Sequence, residues 1–323
     1  DAGWDNDLLS VELEGLKDLG FDLSFTGFDE KELSDLFSTD EETKDDGFDL
    51  SKALEEKAFT EDGDIWLLGR HRLMCGDSTD PDAVKTLMDG KKANVLITDP
   101  PYNCAYEGAA GTIKNDKLED KEFHNFLFLA FKNAFDNLAD GAVAYIFHSD
   151  SEKVNFMTSL QEAGMKYIST CIWVKNALVL GHSDFQQRHE PVLYFYKPTS
   201  GHKFYGDRKQ TTVWEFDRPT RSPFHPTAKP VDLIAYPIGL STQQNGIVLD
   251  LFGGGGSTLI ASEQSGRTAN LMELDSKYSS AIVRRYAALK GGIDDIQVIR
   301  GGKTLPCSDV YKPTDDDLEA KVL

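Results

Sequence analysis

GIVLDLFGGGGSTLIASEQSGRTANLMELDSKYSSAIVRRYAALKG, residues 246–291, is the stretch whose reading decides the fold. An apolar run ends in four glycines, Gly253 to Gly256, followed by a helical pattern, a second apolar run (ANLMELD) and a second helical pattern. Strand, turn, helix, strand, helix is the order of a mostly parallel sheet covered on both faces. The glycines permit a tight turn and let a ligand approach the backbone at the strand's carboxyl end, where such sheets bind ligands. Glu273 closes the second strand about 20 residues after the first glycine, the place of a carboxylate that meets both ribose hydroxyls of a nucleoside. No Lys-Ser/Thr pair follows the glycines, which argues against a triphosphate cradle and for a nucleoside ligand.

Outward from this stretch, the pattern predicts a helix from Pro230 and strands in AVAYIF (142–147), ISTCIWVK (168–175) and PVLYFYK (191–197). Phe123 to Leu138 repeats apolar residues at three and four and predicts a helix, as does Ser151 to Ala163. Asn176 to Pro226 reads as a long irregular insertion, and such insertions are usually functional. Further back, IWLLG and HRLMCGD read as two strands, and Asp80 to Met88 as a helix opened by Pro81. NVLIT (94–98) is a strand that runs into DPPY (99–102). Two prolines fix the backbone between a carboxylate and an aromatic ring. That arrangement suits a planar base with an amino group: Tyr102 stacks, while Asp99 and the carbonyl of Pro100 accept the two N–H bonds.

The formal charge of −20 argues against a nucleic-acid partner until it is divided along the chain. Residues 1–64 hold 22 acidic side chains against five lysines, a net of −17, whereas residues 65–302 hold 27 acidic and 26 basic. Between Trp173 and Val231 the balance reverses to nine basic against five acidic, with four histidines interleaved. A local basic surface can bind phosphates whatever the total charge. The apolar clusters from Leu8 to Phe37 predict short amphipathic helices that dock on protein, followed by a solvated acidic linker from Asp40 to Asp46. Three pieces follow: an acidic helical extension over 1–63, a folded domain over 64–302 that carries the insertion 176–226, and an acidic tail over 303–323. Cys75, Cys104, Cys171 and Cys307 are far apart, so neither a zinc site nor a disulfide framework is expected, and a reducing cytoplasm fits. No apolar run reaches membrane-span length. The chain opens on Asp1 rather than methionine, which fits a start inside a longer protein.

GDS (76–78), DPPY (99–102), HPTAKP (225–230), DLFGGGGST (250–258) and ELD (273–275) together resemble the DNA amino-methyltransferases that use S-adenosylmethionine, in the circular order with the catalytic motif first and the cofactor loop last. The resemblance spans about Asp64 to Gly291 and implies a Rossmann-like, doubly wound α/β fold. It implies that Asp77 lies near the cofactor adenine, that His225, Thr227, Lys229 and Pro230 start the helix over its methionine end, and that Asp250, Phe252, Gly253, Gly255, Ser257 and Thr258 line it, with Glu273 on the ribose. Leu251 stands where the family most often has proline, and glycine at 254 and 256 where small or hydroxyl residues are usual, departures that would loosen the loop. GFDLSFTGFDEKEL (20–33) is similar to the tract that follows a partition-protein-like nuclease domain in some phage and bacterial fusions.

The resemblance implies no metal and a base flipped out of DNA, in a restriction-modification setting. Asp99, Pro100, Pro101 and Tyr102 form the catalytic motif, and Lys175, Arg188, Lys197, Arg208, Lys209, Arg218 and Arg221 are the candidates for phosphate contact. Asp rather than Ser in the first motif position favours the adenine amine over that of cytosine. A non-catalytic binding module and an enzyme for small amines are the readings kept beside it. The chain is expected to be a monomer or homodimer.

Overall fold

In the computed structural model, residues 43–104, 107–108, 111–112, 116–179, 184–217, 229–314 and 318 are described, with positions 9, 13, 16, 21 and 23–28. The chain divides into two units, 1–42 and 43–323. In the first, Leu9, Leu13 and Leu16 are helical and Leu23–Thr26 form a short 3-10 turn. Leu13 and Leu23 are buried, while Phe21 and Phe25 are exposed and meet edge to face. The expected clusters at Leu8, Val11, Leu19, Leu33, Leu36 and Phe37 lie outside the described residues.

The second unit is built on one eleven-stranded sheet: β1 (Ile65–Leu68), β2 (His71–Cys75), β3 (Ala93–Thr98), β4 (Leu138–Phe147), β5 (Lys166–Val179), β6 (Gln187–Tyr196), β7 (Val213–Glu215), β8 (Ile247–Asp250), β9 (Thr268–Glu273), β10 (Ile296–Arg300) and β11 (Lys303–Pro306). Their spatial order is β11-β10-β1-β2-β9-β8-β3-β4-β6-β5-β7. The five central strands, β2-β9-β8-β3-β4, are parallel throughout. The helices are α1 (Leu50–Glu55), α2 (Pro81–Met88), α3 (Asp120–Asn137), α4 (Lys153–Glu162), α5 (Val231–Ser241), α6 (Ser257–Gln264) and α7 (Ser276–Lys290).

Strand side chains alternate between two apolar layers. In β3, Leu96 joins Phe123, Leu127 and Phe131 of α3 and Phe156 of α4, whereas Val95 and Ile97 join Leu233, Ile234 and Ile238 of α5. In β4, Ala144 and Ile146 face the first layer, Val143, Tyr145 and Phe147 the second. Both faces are covered, so these strands read as unbroken apolar runs rather than as alternation. The helix starts follow local chemistry: Asp80 accepts the N–H groups of Asp82 and Ala83 ahead of α2, with Pro81 in its first turn.

Three boundaries differ from the sequence reading. β5 runs on through Asn176 to Val179 and β6 resumes at Gln187, so part of the expected irregular insertion is a strand pair closed by Val179 opposite Gln187. The ladder of Trp173 opposite Glu190 and Val174 opposite His189 continues to that pair, so backbone pairing rather than side-chain periodicity carries it. At the carboxyl end, residues 303–311 are not a tail. β11 pairs with β10, Cys307 and Tyr311 are buried, and Tyr311 stacks on Phe59 with ring centroids 4.4 Å apart. At the amino end Asp46, expected in a solvated linker, is buried against Arg285.

Removing residues 303–323 therefore deletes an edge strand and two core side chains, and should lower stability by about 3 kcal/mol or more. Thermal unfolding followed by circular dichroism checks this, and an unchanged midpoint would contradict the boundary.

Candidate active site

β3 and β8 are parallel neighbours, with Val95 opposite Val248 and Leu96 opposite Leu249. Their carboxyl ends bring DPPY and the glycine loop side by side. Asp250 joins them: it is buried and accepts the Thr98 hydroxyl at 2.7 Å, the Thr258 hydroxyl at 2.6 Å and the Phe252 N–H at 3.1 Å. Burial still raises its pKa to about 6 despite these donors. Asp250 thus braces the site rather than lining it, a correction to its expected place on the cofactor.

In the glycine loop, Gly253 N–H donates to the Met272 carbonyl and Gly254 N–H to Glu273 Oε2, both at 2.8 Å. Gly254 and Gly256 have φ of +50° and +83°, a region that other residues enter with strain. Glycine at these two positions relieves the backbone rather than loosening the loop. A Cβ at Gly255 would come within 2.8 Å of Leu50 Cδ2, so Leu50 packs directly on this part of the loop. Glu273 Oε1 accepts the Asp275 N–H at 2.8 Å. Burial raises the Glu273 pKa to about 7 against the pull of the Asp275 and Gly254 amides. β9 lies beside β2, with Glu273 opposite Cys75, and the next turn holds Asp77, exposed and accepting both the N–H and the hydroxyl of Thr79. Asp77, Glu273, the glycine loop and DPPY thus follow one another along the carboxyl edge of the parallel strands, in the order β2, β9, β8, β3.

DPPY carries a charge cluster. Asp99 Oδ1 accepts the Tyr102 hydroxyl at 2.5 Å, and Asp99 Oδ2 pairs with Lys229 Nζ at 2.6 Å. Lys229 Nζ also lies 3.1 Å from Glu190 Oε2, and Glu190 Oε1 pairs with Lys175. Burial would raise Glu190, but Lys229 and Lys175 outweigh it and hold its pKa at about 2. Lys229 is raised in turn, its own burial being outweighed by Asp99 and Glu190. Asp99 keeps 30% of its side chain exposed at the opening. The Lys229 ammonium sits 5.6 Å from the Tyr102 ring centre, and Phe156 meets that ring edge to face.

Sequence reasoning missed Glu190. The available signal was an acid at the head of the buried run PVLYF, across the ladder from Trp173, with Lys175 two residues beyond. Lys229, expected on the cofactor, reaches Asp99 of DPPY, while its carbonyl accepts the Ser257 hydroxyl at 2.7 Å. Pro230 immediately precedes α5. Of the phosphate candidates, Lys175 is buried on Glu190, and Lys197 donates to the carbonyls of Phe135 and Leu138 at the end of α3. Both are corrected to structural roles, since an ammonium already bonded inside the fold is not offered to a phosphate. Arg188, Arg208 and Lys209 are exposed. Arg218, Arg221, His225 and Thr227 lie outside the described residues.

The DNA methylase family, of the N6/N4 type, matches residues 93–284. The chain belongs to that family. A second match, to the ParB-methyltransferase HTH domain, covers residues 7–62. The methylase is 29% identical over 214 residues to YubD of Escherichia coli, spanning 64% of this chain and 87% of that one. It is 25% identical over 251 residues to the type II methyltransferase M.HpaI of Haemophilus parainfluenzae, covering 70% of this chain and 77% of the relative. Among solved structures, M1.HpyAVI in complex with S-adenosylmethionine superposes with a TM-score of 0.51 at 23% identity over 66% of this chain and 98% of the other. The cytosine-N4-specific PvuII methyltransferase superposes at 0.54 and 16% identity over 67% and 86%. That M1.HpyAVI structure, and one of a DNA modification methylase from Thermus thermophilus, hold S-adenosylmethionine. The residues fit it: a loop of backbone without side chains, followed by a carboxylate with unused lone pairs at the end of β9. Among the described residues, no helix is long and apolar enough to cross a membrane.

Glu273 and Asp250 bind protons more tightly folded than unfolded, so between about pH 4.5 and 7 the native state carries the excess protons and stability falls as pH rises. Without cofactor, the methylase should lose about 1–3 kcal/mol over that window, and Glu273→Gln should flatten the fall. Urea titrations at pH 5 and pH 7 check both.

Proposed function

We propose that the methylase transfers the methyl group of S-adenosylmethionine to the exocyclic amine of adenine in DNA. The observation that carries this reading is Asp99: a carboxylate at the mouth of the site, fixed by Tyr102 and Lys229, adjoining the loop that suits the cofactor. When bound, the cofactor supplies an already activated methyl, so the chain has to place the amine and polarise it. Glu273 accepts the ribose hydroxyls. The carbonyl of Pro100 and Asp99 accept the two amine hydrogens, leaving the nitrogen lone pair aimed at the methyl. As positive charge grows on that nitrogen, Asp99 stabilises it and then takes the surplus proton or passes it to solvent. Its enclosure raises the Asp99 pKa against the pull of Lys229, with Glu190 pushing the same way, which makes it a better proton acceptor.

Lys229 on Asp99 opposes positive charge on the amine. Glu190 offers the ammonium a second partner at 3.1 Å, which lets it withdraw from Asp99 and from the face of Tyr102 where a base would stack. Asp at position 99, where the cytosine-acting members tend to carry Ser, supports adenine. The exposed Arg188, Arg208 and Lys209 serve as phosphate contacts that offset the cost of flipping the base.

Incubation with DNA and nucleoside analysis by mass spectrometry should yield N6-methyladenine, and N4-methylcytosine instead would overturn the choice of base. Asp99→Ala should abolish transfer with cofactor affinity kept, and full activity in that variant would remove Asp99 from the mechanism. Glu190→Gln should lower turnover about ten- to a hundredfold, the range for losing a hydrogen bond to a charged group. In Glu190→Gln, cofactor titration by calorimetry should stay near the unsubstituted value.

A further inference from the structure

The segment just ahead of the sheet is bonded to α6 and α7, the two helices that follow the glycine loop, and reaches the loop through Arg285. Lys44 N–H donates to Gln264 Oε1 at 2.8 Å, and Gln264 Nε2 donates back to the Lys44 carbonyl at 3.0 Å. Two residues on, the buried Asp46 carboxylate takes both Nε and Nη2 of Arg285, at 2.7 and 2.8 Å. The remaining arm of that guanidinium, Nη1, donates to the Gly255 carbonyl at 2.7 Å and lies 3.5 Å from the Ser257 hydroxyl. Asp49 caps α1, whose first residue Leu50 sits on Gly255 where a Cβ would have been. Behind it, Arg284 donates to the carbonyls of Ala53 and Lys57.

A loop of four glycines has no side chains with which to hold its own shape, and glycine loses more freedom on ordering than any other residue. The orientation of its peptide groups has to be imposed from outside. Arg285 does this for Gly255 with a planar fork whose other edge is fixed by Asp46, and the fork geometry is what an arginine supplies and a lysine does not. A buried ion pair adds little net stability compared with apolar packing, so this one is better explained by the geometry it imposes.

We propose that residues 43–57 are a strap that sets the cofactor loop, with Asp46 and Arg285 as positioning residues for S-adenosylmethionine. The proposal rests on the reading that this loop holds the cofactor. Since residues 43–57 fall within the match to the ParB-methyltransferase HTH domain, the end of that domain is part of the methylase's cofactor site.

The test uses the full chain and titrates S-adenosylmethionine by calorimetry. Asp46→Asn should weaken cofactor binding about three- to thirtyfold, the usual span for residues that act through others. Its turnover at saturating cofactor and its DNA affinity should hold. Arg285→Lys, which keeps the charge but cannot serve both partners, should shift affinity the same way. Gln264→Ala, at an exposed contact, should give a smaller loss in that direction and decides the matter if the buried variants do not fold. Lower melting temperatures with unchanged cofactor affinity in the folded variants would reduce the strap to a structural clasp and overturn the proposal. Glu273→Ala serves as the control. If it leaves cofactor affinity intact, the reading of the loop fails and the strap with it; if it weakens binding while Asp46→Asn and Gln264→Ala do not, the strap alone fails.

Discussion

One carboxylate holds the two halves of the site in register. Asp250, at the end of β8, is bonded to Thr98 at the end of β3 and to Thr258 in the first turn of α6. Thr98 immediately precedes Asp99, and Thr258 follows the glycines. A methyl transfer between two bound groups depends on their being held to a fraction of an ångström. Hydroxyl donors of the right length on both sides let a single acid fix that distance inside the fold. The cost is visible in its raised pKa of about 6, the mark of a charge kept in a poorly solvated place with three hydrogen bonds for compensation.

Beside it, Asp99, Glu190, Lys175 and Lys229 form a second, larger constraint. Two acids and two ammonium groups sum to zero, which is the condition under which charges survive away from water. The cluster reaches across the sheet: Asp99 follows β3, Lys175 lies in β5, Glu190 in β6, and Lys229 stands ahead of α5. Chain segments more than a hundred residues apart are thereby fastened at one point, and the Asp99 carboxylate is held between Tyr102 and Lys229.

The parallel centre of the sheet was legible because its strands are apolar on both faces and its turns carry glycine or proline: NVLIT, AVAYIF, GIVLDLF and ANLMELD are all strands. The motifs at the strand ends could be read for the same reason, since Asp99, Gly254 and Glu273 each follow an unmistakable apolar run. The pairing of Glu190 with Lys229 was not legible, because an ion pair between residues 39 apart leaves no periodic trace in either segment. The ends misled for a related reason. Acidic composition implied solvation for Asp46, whose partner Arg285 lies 239 residues away, and β11 is too short and too polar to announce a strand.

The outer strands also set what can be cut from this chain. The stretch matched to the methylase family begins at β3 and stops within α7, so a fragment with those limits would lack β1, β2, β10 and β11. It would leave β9 as a sheet edge with its backbone groups unpaired, and strip the cover from Leu271 and from Ile282 and Val283 on α7, which pack with Trp66, Leu68 and Leu73. A long apolar edge of that kind recruits other chains. Sequence kinship therefore marks the chemistry of this protein, whereas a soluble autonomous piece has to include the neighbours that shield it.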